Sequence, residues 1–266
     1  MKKIVCLCLL ILNVFCVSIF AQKYESYHAG ENLTYEAKFS KIIKGIAVAD
    51  LHFTVERMAN NRDFLVRTDA VTKGSLLKLF SKSFVQKYES TVDGANFSIK
   101  RTVTRDEQGD RVRESEALFD YTDKKVIYVE TDPNDAARPP RQIASPIPAD
   151  TQDLVTAIYT LRRLPLAIGK TFELNVSDSG LVYKIPVRVM AREQQKTILG
   201  TVWCFRVEPE VFGENRLVEQ KGNMILWITD DARRLPVRSQ INTNIGRFEV
   251  KLKRASVAAS DLIKPT

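Results

Sequence analysis

Arginine is the residue type in this chain best placed to do chemistry. Arg101, Arg105, Arg111 and Arg113 fall on neighbouring strands of one hairpin, and Arg162-Arg163 and Arg233-Arg234 form two further pairs. A guanidinium presents a planar fork of donors that matches phosphate or carboxylate bidentately, so either set could grip an anionic ligand. The plainer alternative is a pair of solvated strand faces and a helix end.

Other chemistry finds less support. Asp230-Asp231 could serve as paired acid and base, but acids at the head of a turn normally accept backbone hydrogen bonds. The run Asp106-Glu107-Gln108-Gly109-Asp110 lacks calcium-loop spacing. Beyond residue 21 there remain two histidines, His28 and His52, and one cysteine, Cys204, so no metal site is expected. No serine stands in a G-x-S-x-G setting, no Cys–His signature occurs, and no phosphate loop or dinucleotide fingerprint is present. Neither catalytic residues nor a cofactor are therefore expected. Trp203 and Trp227, on strands, read as core.

Lys2 and Lys3 precede an apolar run, Ile4 to Phe20, and the small Ala21. This is the pattern of a secretory signal peptide over residues 1–21, which is short for a membrane span. No second run could cross a membrane as a helix. The formal charge of +8, less the two leader lysines, gives +6. That suits loose attraction to anionic surfaces and does not argue for nucleic acid. Three of the four cysteines lie in the leader, so the remaining chain cannot form an internal disulfide, and Cys204 reads as a small buried hydrophobe.

The elements that must position these residues are mostly strands. Leu33, Tyr35, Ala37 and Phe39 alternate with polar residues, and period-two runs recur to Leu252, separated by turns such as Asp93-Gly94 and Asp178-Ser179-Gly180. Ser75 to Phe80 fits a helical turn or a bulged strand. Arg101 sits in the phase set by Ile99 and Val103, where a buried residue is expected. Residues 131–150, rich in Pro, Ala, Asp and Arg, read as a long surface loop. One helix is expected over 151–164, with Asp150 as N-cap, one apolar face (Leu154, Ala157, Ile158, Leu161), Arg162 and Arg163 in the last turn, and Pro165 as the stop.

The expected fold is all-β, mainly antiparallel: a large curved, half-open, barrel-like sheet with the helix against it. Two stacked β-sandwich halves are the alternative. Residues 22–257 form a single domain in this reading, and 258–266 a frayed tail.

The segment QDLVTAIYTLRRLPLAIGKTF, with Gly30-Glu31-Asn32-Leu33-Thr34-Tyr35 before it and Leu226-Trp227-Ile228-Thr229-Asp230-Asp231-Ala232-Arg233-Arg234-Leu235-Pro236-Val237 after it, resembles a bacterial exported family, domain of unknown function 3108 (DUF3108). The resemblance implies an exported, strand-rich protein and lends no catalytic residues.

The functional expectation is a non-catalytic binding or envelope-maintenance protein, periplasmic or extracellular, with a place peripheral to the outer membrane as one option. It would hold a lipid-like or anionic envelope ligand, or an envelope partner. A carboxylate-dependent hydrolase of envelope glycan or lipid, and a structural or adhesion module, are the alternatives.

Overall fold

A computed structural model describes residues 27–41, 45–73 and 83–256. The expected leader, the tail, and the stretch Ser75 to Phe80 lie outside the described residues. Fifteen strands are described: β1 (Asn32–Ser40), β2 (Ile46–Arg57), β3 (Asp63–Thr72), β4 (Phe84–Asp93), β5 (Ile99–Gln108), β6 (Arg111–Asp120), β7 (Lys125–Thr131), β8 (Arg141–Pro146), β9 (Gln152–Asp153), β10 (Thr171–Asp178), β11 (Leu181–Thr197), β12 (Gly200–Pro209), β13 (Gly222–Thr229), β14 (Pro236–Thr243) and β15 (Gly246–Ser256). The one α-helix among the described residues, α1 (Leu154–Arg163), lies between β9 and β10.

All fifteen strands form a single sheet in the order β8-β7-β6-β5-β4-β3-β2-β1-β15-β14-β13-β12-β11-β10-β9. Neighbours are antiparallel except the short β9, which runs parallel to β10. β1 joins the two runs by pairing with β15 from Asn32↔Ser256 to Ser40↔Arg247. The two-sandwich alternative is thereby set aside. The sheet does not close, because β8 and β9 are its ends.

A sheet this wide must curl, since each strand adds twist. Bulges sharpen the curl. They interrupt the register at Ala37/Lys38, Thr91/Val92, Val189/Ala191 and Trp227/Ile228. The two ends come close at the β10–β11 turn. Gly180, at φ +81°, lies so near β7 and β8 that a methyl group there would stand 2.7 Å from Tyr128 Cβ and 2.9 Å from Ile143 Cβ.

The helix lies inside this curl. Ala157 and Leu161 join the core of β10 to β13. Val155 and Tyr159 join a second core with Tyr27, Val55, Phe64, Val66 and Val92. Two differences from the sequence reading follow. The helix buries several faces, not one: Val155, Thr156, Tyr159 and Arg162 are buried as well as Ala157 and Leu161. Its N-cap is Asp153, not Asp150. Asp153 Oδ1 accepts from Val155 N at 3.0 Å and Thr156 N at 2.7 Å, and Thr156 Oγ1 in turn accepts from Asp153 N at 3.0 Å. Asp150 instead accepts from Asn175 Nδ2 at 2.8 Å. The expected loop 131–150 also holds a strand, since β8 pairs with β7 from Glu130↔Arg141 to Lys125↔Pro146.

Candidate functional site

The first arginine set is split between the two faces of the β5–β6 hairpin: Arg101 and Arg105 stand opposite Leu118 and Glu114 on the outer face, Arg111 and Arg113 opposite Gln108 and Asp106 on the other, and all four are engaged. Arg101 pairs with Glu116, and Arg105 pairs with Glu107 at 2.6 Å and with Glu114. Arg111 meets Asp106 at 3.1 Å, and Arg113 is held by Asp132. Lys100 explains why Arg101 faces outward. Thr91 pairs with Arg101 and Val92 with Ile99, so Lys100 is the extra residue of a bulge. The bulge reverses the alternation, leaving Ile99 and Thr102 buried and Arg101 exposed.

The second set meets in space, through one member. Arg162, on the last turn of α1, is only 1% exposed rather than a solvated cation. Its Nη1 and Nη2 donate to Glu31 Oε1 and Oε2, both at 2.7 Å, and Nη2 also donates to the Arg233 carbonyl at 3.2 Å. Arg163 lies over the Phe97 ring at 3.8 Å. Arg233 is held by Asp231, with Nε to Oδ2 at 3.0 Å. Arg234, also buried, lies 4.9 Å from the Phe205 ring centre and 3.4 Å from Asp230 Oδ1.

Around Arg162 the structure opens an apolar cavity of about 170 Å³. One wall comes from Leu33 and Tyr35 of β1 and Leu51 and Phe53 of β2. The adjoining wall comes from Met224 and Leu226 of β13, Pro236, Arg238, Ser239 and Ile241 of β14, and Val250 of β15. Ile158, Tyr159 and Arg162 of α1 form the floor. Alternation produces the two walls: the inward phases of adjacent antiparallel strands line one surface. Leu51, Phe53, Met224, Ile241 and Val250 stay partly exposed, so the cavity opens to solvent along their side.

The polar groups of this cavity are few. Tyr35 Oη donates to the Pro236 carbonyl at 2.9 Å. Tyr159 is buried beside Glu31, and burial first, then that carboxylate, holds its hydroxyl well above the usual phenol range, so it stays protonated. Tyr27 stacks on Tyr159 with ring centres 5.0 Å apart. Arg238 lies 4.6 Å from the Trp227 ring centre and donates to Glu249 Oε1 at 2.5 Å.

A second, polar cavity of about 50 Å³ lies near the helix start, lined by Tyr88, Thr102, Thr104, Ser115, Asp153, Ser177 and Asp178 among others. Here Asp153 Oδ2 accepts from Ser90 Oγ at 2.5 Å and Thr102 Oγ1 at 2.7 Å. With Oδ1 capping the helix, this carboxylate ties α1 to β4 and β5. The other acids are held by different partners on other elements: Asp230 by Arg192, Asp231 by Arg233, Asp106 by Arg111.

The remaining candidates are placed as follows. His52 Nδ1 lies 3.3 Å from Thr34 Oγ1 on the exposed face. Among the described residues, no group of three His, Cys, Asp or Glu side chains could hold a metal. Burial pushes the Cys204 thiol up to about 12. Trp227 is buried, whereas Trp203 is 45% exposed under Arg192, contrary to the core reading.

The sequence reading missed Glu31, Tyr159, Arg238 and Ser239. Glu31 stood in the Gly30-Glu31-Asn32 block, and an acid next to a strand whose opposite residues are apolar was the one signal available.

A curled antiparallel sheet wrapped round one helix, with an apolar cavity inside the curl, defines a β-barrel-like protein. The DUF3108 family model, "Protein of unknown function", matches residues 34–253, and the chain belongs to that family. Among solved structures it is similar to a β-barrel-like protein of domain of unknown function DUF1849 from Brucella abortus, at 9% identity and TM-score 0.57, over 88% of this chain and 99% of that one. A Bacteroides fragilis protein with a YmcC-like fold aligns at 10% identity and TM-score 0.38, over 86% of this chain and 97% of that one. No curated protein sequence matches the chain at comparable significance. No helix among the described residues is long and apolar enough to cross a membrane.

Proposed function

We propose that this is a non-catalytic binding protein of the bacterial cell envelope, which holds a lipid-like or amphipathic ligand against the concave face of its sheet. One observation carries the reading. The cavity between β1–β2 and β13–β15 is lined almost wholly by apolar side chains, several of them partly exposed although they lie inside the curl. An apolar concave surface that stays open to water is the usual form of a small-molecule site. Arg163, at the end of α1 and over the Phe97 ring, is the cation offered to an anionic headgroup, since Arg233 is held by Asp231. The paired arginines of β5 and β6 offer such a group less, because each already holds a carboxylate.

Export is part of the proposal and rests on the leader-like residues 1–21. Native mass spectrometry of protein purified from the envelope of its source, followed by lipid extraction, tests the whole reading. A stoichiometric copurifying amphiphile is expected. Ile241→Trp, which fills the cavity from β14, should abolish that copurification while leaving the circular dichroism of the sheet unchanged. Wild-type protein that carries no ligand and binds no neutral apolar dye would sink the proposal.

A further inference from the structure

Because the sheet does not close, its end strand β8 keeps one side without a partner strand. The pairing with β7 shows which groups lie there. Ile147 N donates to the Lys124 carbonyl at 2.9 Å, one step beyond the register Lys125↔Pro146 to Glu130↔Arg141. Directly opposed residues of an antiparallel pair are hydrogen-bonded alternately, so Ser145, Ile143 and Arg141 bond to β7. The backbone groups of Gln142 and Ala144 point the other way, and among the described residues no backbone group pairs with them.

This side carries little to repel a strand. β8 has no bulge and no lysine, the usual protections of an edge. An apolar row also runs onto it across the outer face: Leu118 of β6 stands opposite Ile127 of β7, and Ile127 opposite Ala144. All three are exposed, Leu118 by 45% and Ile127 by 37%. Single exposed apolar residues are ordinary, but a row that ends on a bare edge is the form of a contact surface.

A strand that pairs here must match the donors. Pro140 and Pro146 fall in the phase of Gln142 and Ala144 and have no N–H, so the side offers the donors of Gln142 and Ala144 between two prolines. An identical strand, run antiparallel about Ile143, matches that pattern. Gln142 of each copy then faces Ala144 of the other, and each of these pairs exchanges both its bonds. Pro140 faces Pro146, where neither side has a donor to leave unmet. Arg141, the one charged residue of β8, faces Ser145 and meets no like charge. We infer that β8 is an interface between two copies of this chain, joined edge to edge by antiparallel pairing centred on Ile143. The two-fold axis through Ile143 keeps the outer faces on one side, so the row Leu118, Ile127, Ala144 of each copy abuts Gln142 of its partner. The contact is narrow, which makes the dimer a weak one. It shares no residue with the apolar cavity and stands or falls apart from it.

Analytical ultracentrifugation of the protein purified from the envelope of its source, over a dilution series, is the test. A concentration-dependent monomer–dimer equilibrium is expected. Ala144→Pro removes an outward donor from each copy and leaves the bonds to β7 in place, so it should raise the dissociation constant about thirtyfold, the effect of two hydrogen bonds. Ala144→Lys, at an exposed position, should weaken the dimer as well and serves should the proline variant fail to fold. The register has its own readout. Ile143 of each copy faces Ile143 of the other in a non-hydrogen-bonded pair, with Cα atoms about 4.5 Å apart, within reach of a disulfide. Ile143→Cys should therefore cross-link the copies on mild oxidation, and Ser145→Cys should not. A monomer at every concentration, or a dimer that neither Ala144 variant weakens, overturns the interface. Cross-linking through Ser145→Cys but not Ile143→Cys overturns the pairing about Ile143.

Discussion

Asp153 shows how much one side chain can hold. Its two oxygens accept from two helix amides and from the hydroxyls of Thr156, Ser90 and Thr102. Asp153→Ala removes the cap and strands two buried hydroxyls, so it should cost about 3 kcal/mol. Asp153→Asn keeps the capping oxygen and should cost less. Urea denaturation of the two variants checks both. An acid near a helix start was legible in the sequence, but which of Asp150 and Asp153 caps was not. That choice depends on Ser90 and Thr102, more than fifty residues earlier in the chain. Arg162 makes the same point. A cation in the last helical turn is ordinarily solvated, and only the fold brings Glu31 to it.

Among elements, β1 bears the most on the fold, being the join between the two runs of strands. Its Glu36 lies among lysines: Lys73 Nζ at 3.1 Å, Lys253 Nζ of β15 at 3.2 Å and Lys38 Nζ at 3.5 Å. Burial pulls its pKa up, but these cations outweigh burial and lower it from 4.5 to about 2. The folded value is below the unfolded one. The stabilisation is therefore complete above about pH 4.5 and is lost as pH falls towards 2. Urea midpoints of wild type and Glu36→Gln, followed down in pH, should differ most above that window and converge at its lower end. The strands themselves were legible, since alternation survives in single runs. Bulges were not. Lys100 reverses the phase of β5 with no mark in residue type, which is why Arg101 faces outward and Thr102 and Thr104 point to the polar cavity. The strand β8 was hidden by its composition, because an exposed edge strand needs no apolar alternation.

In the whole molecule, the half-open curl depends on a contact between the two ends of the sheet. Gly180→Ala introduces a methyl group that overlaps Tyr128 and Ile143, at a residue whose φ of +81° disfavours any side chain. It should lower Tm by roughly 5 °C and speed amide exchange in β8. Alanine at Gly109, where nothing lies nearby, meets only the backbone penalty and serves as the control.

The strand order also dictates when the cavity can exist. Every pairing in the sheet joins strands consecutive in the chain except β1 with β15. Local hairpins form early because their loops are short, whereas this one seam closes a loop of some two hundred residues. The walls of the cavity stand on opposite sides of that seam. A folding intermediate built from either run of strands alone therefore lacks one wall of the cavity, and a ligand of the kind proposed, held by both walls, would act as a rivet across the final join.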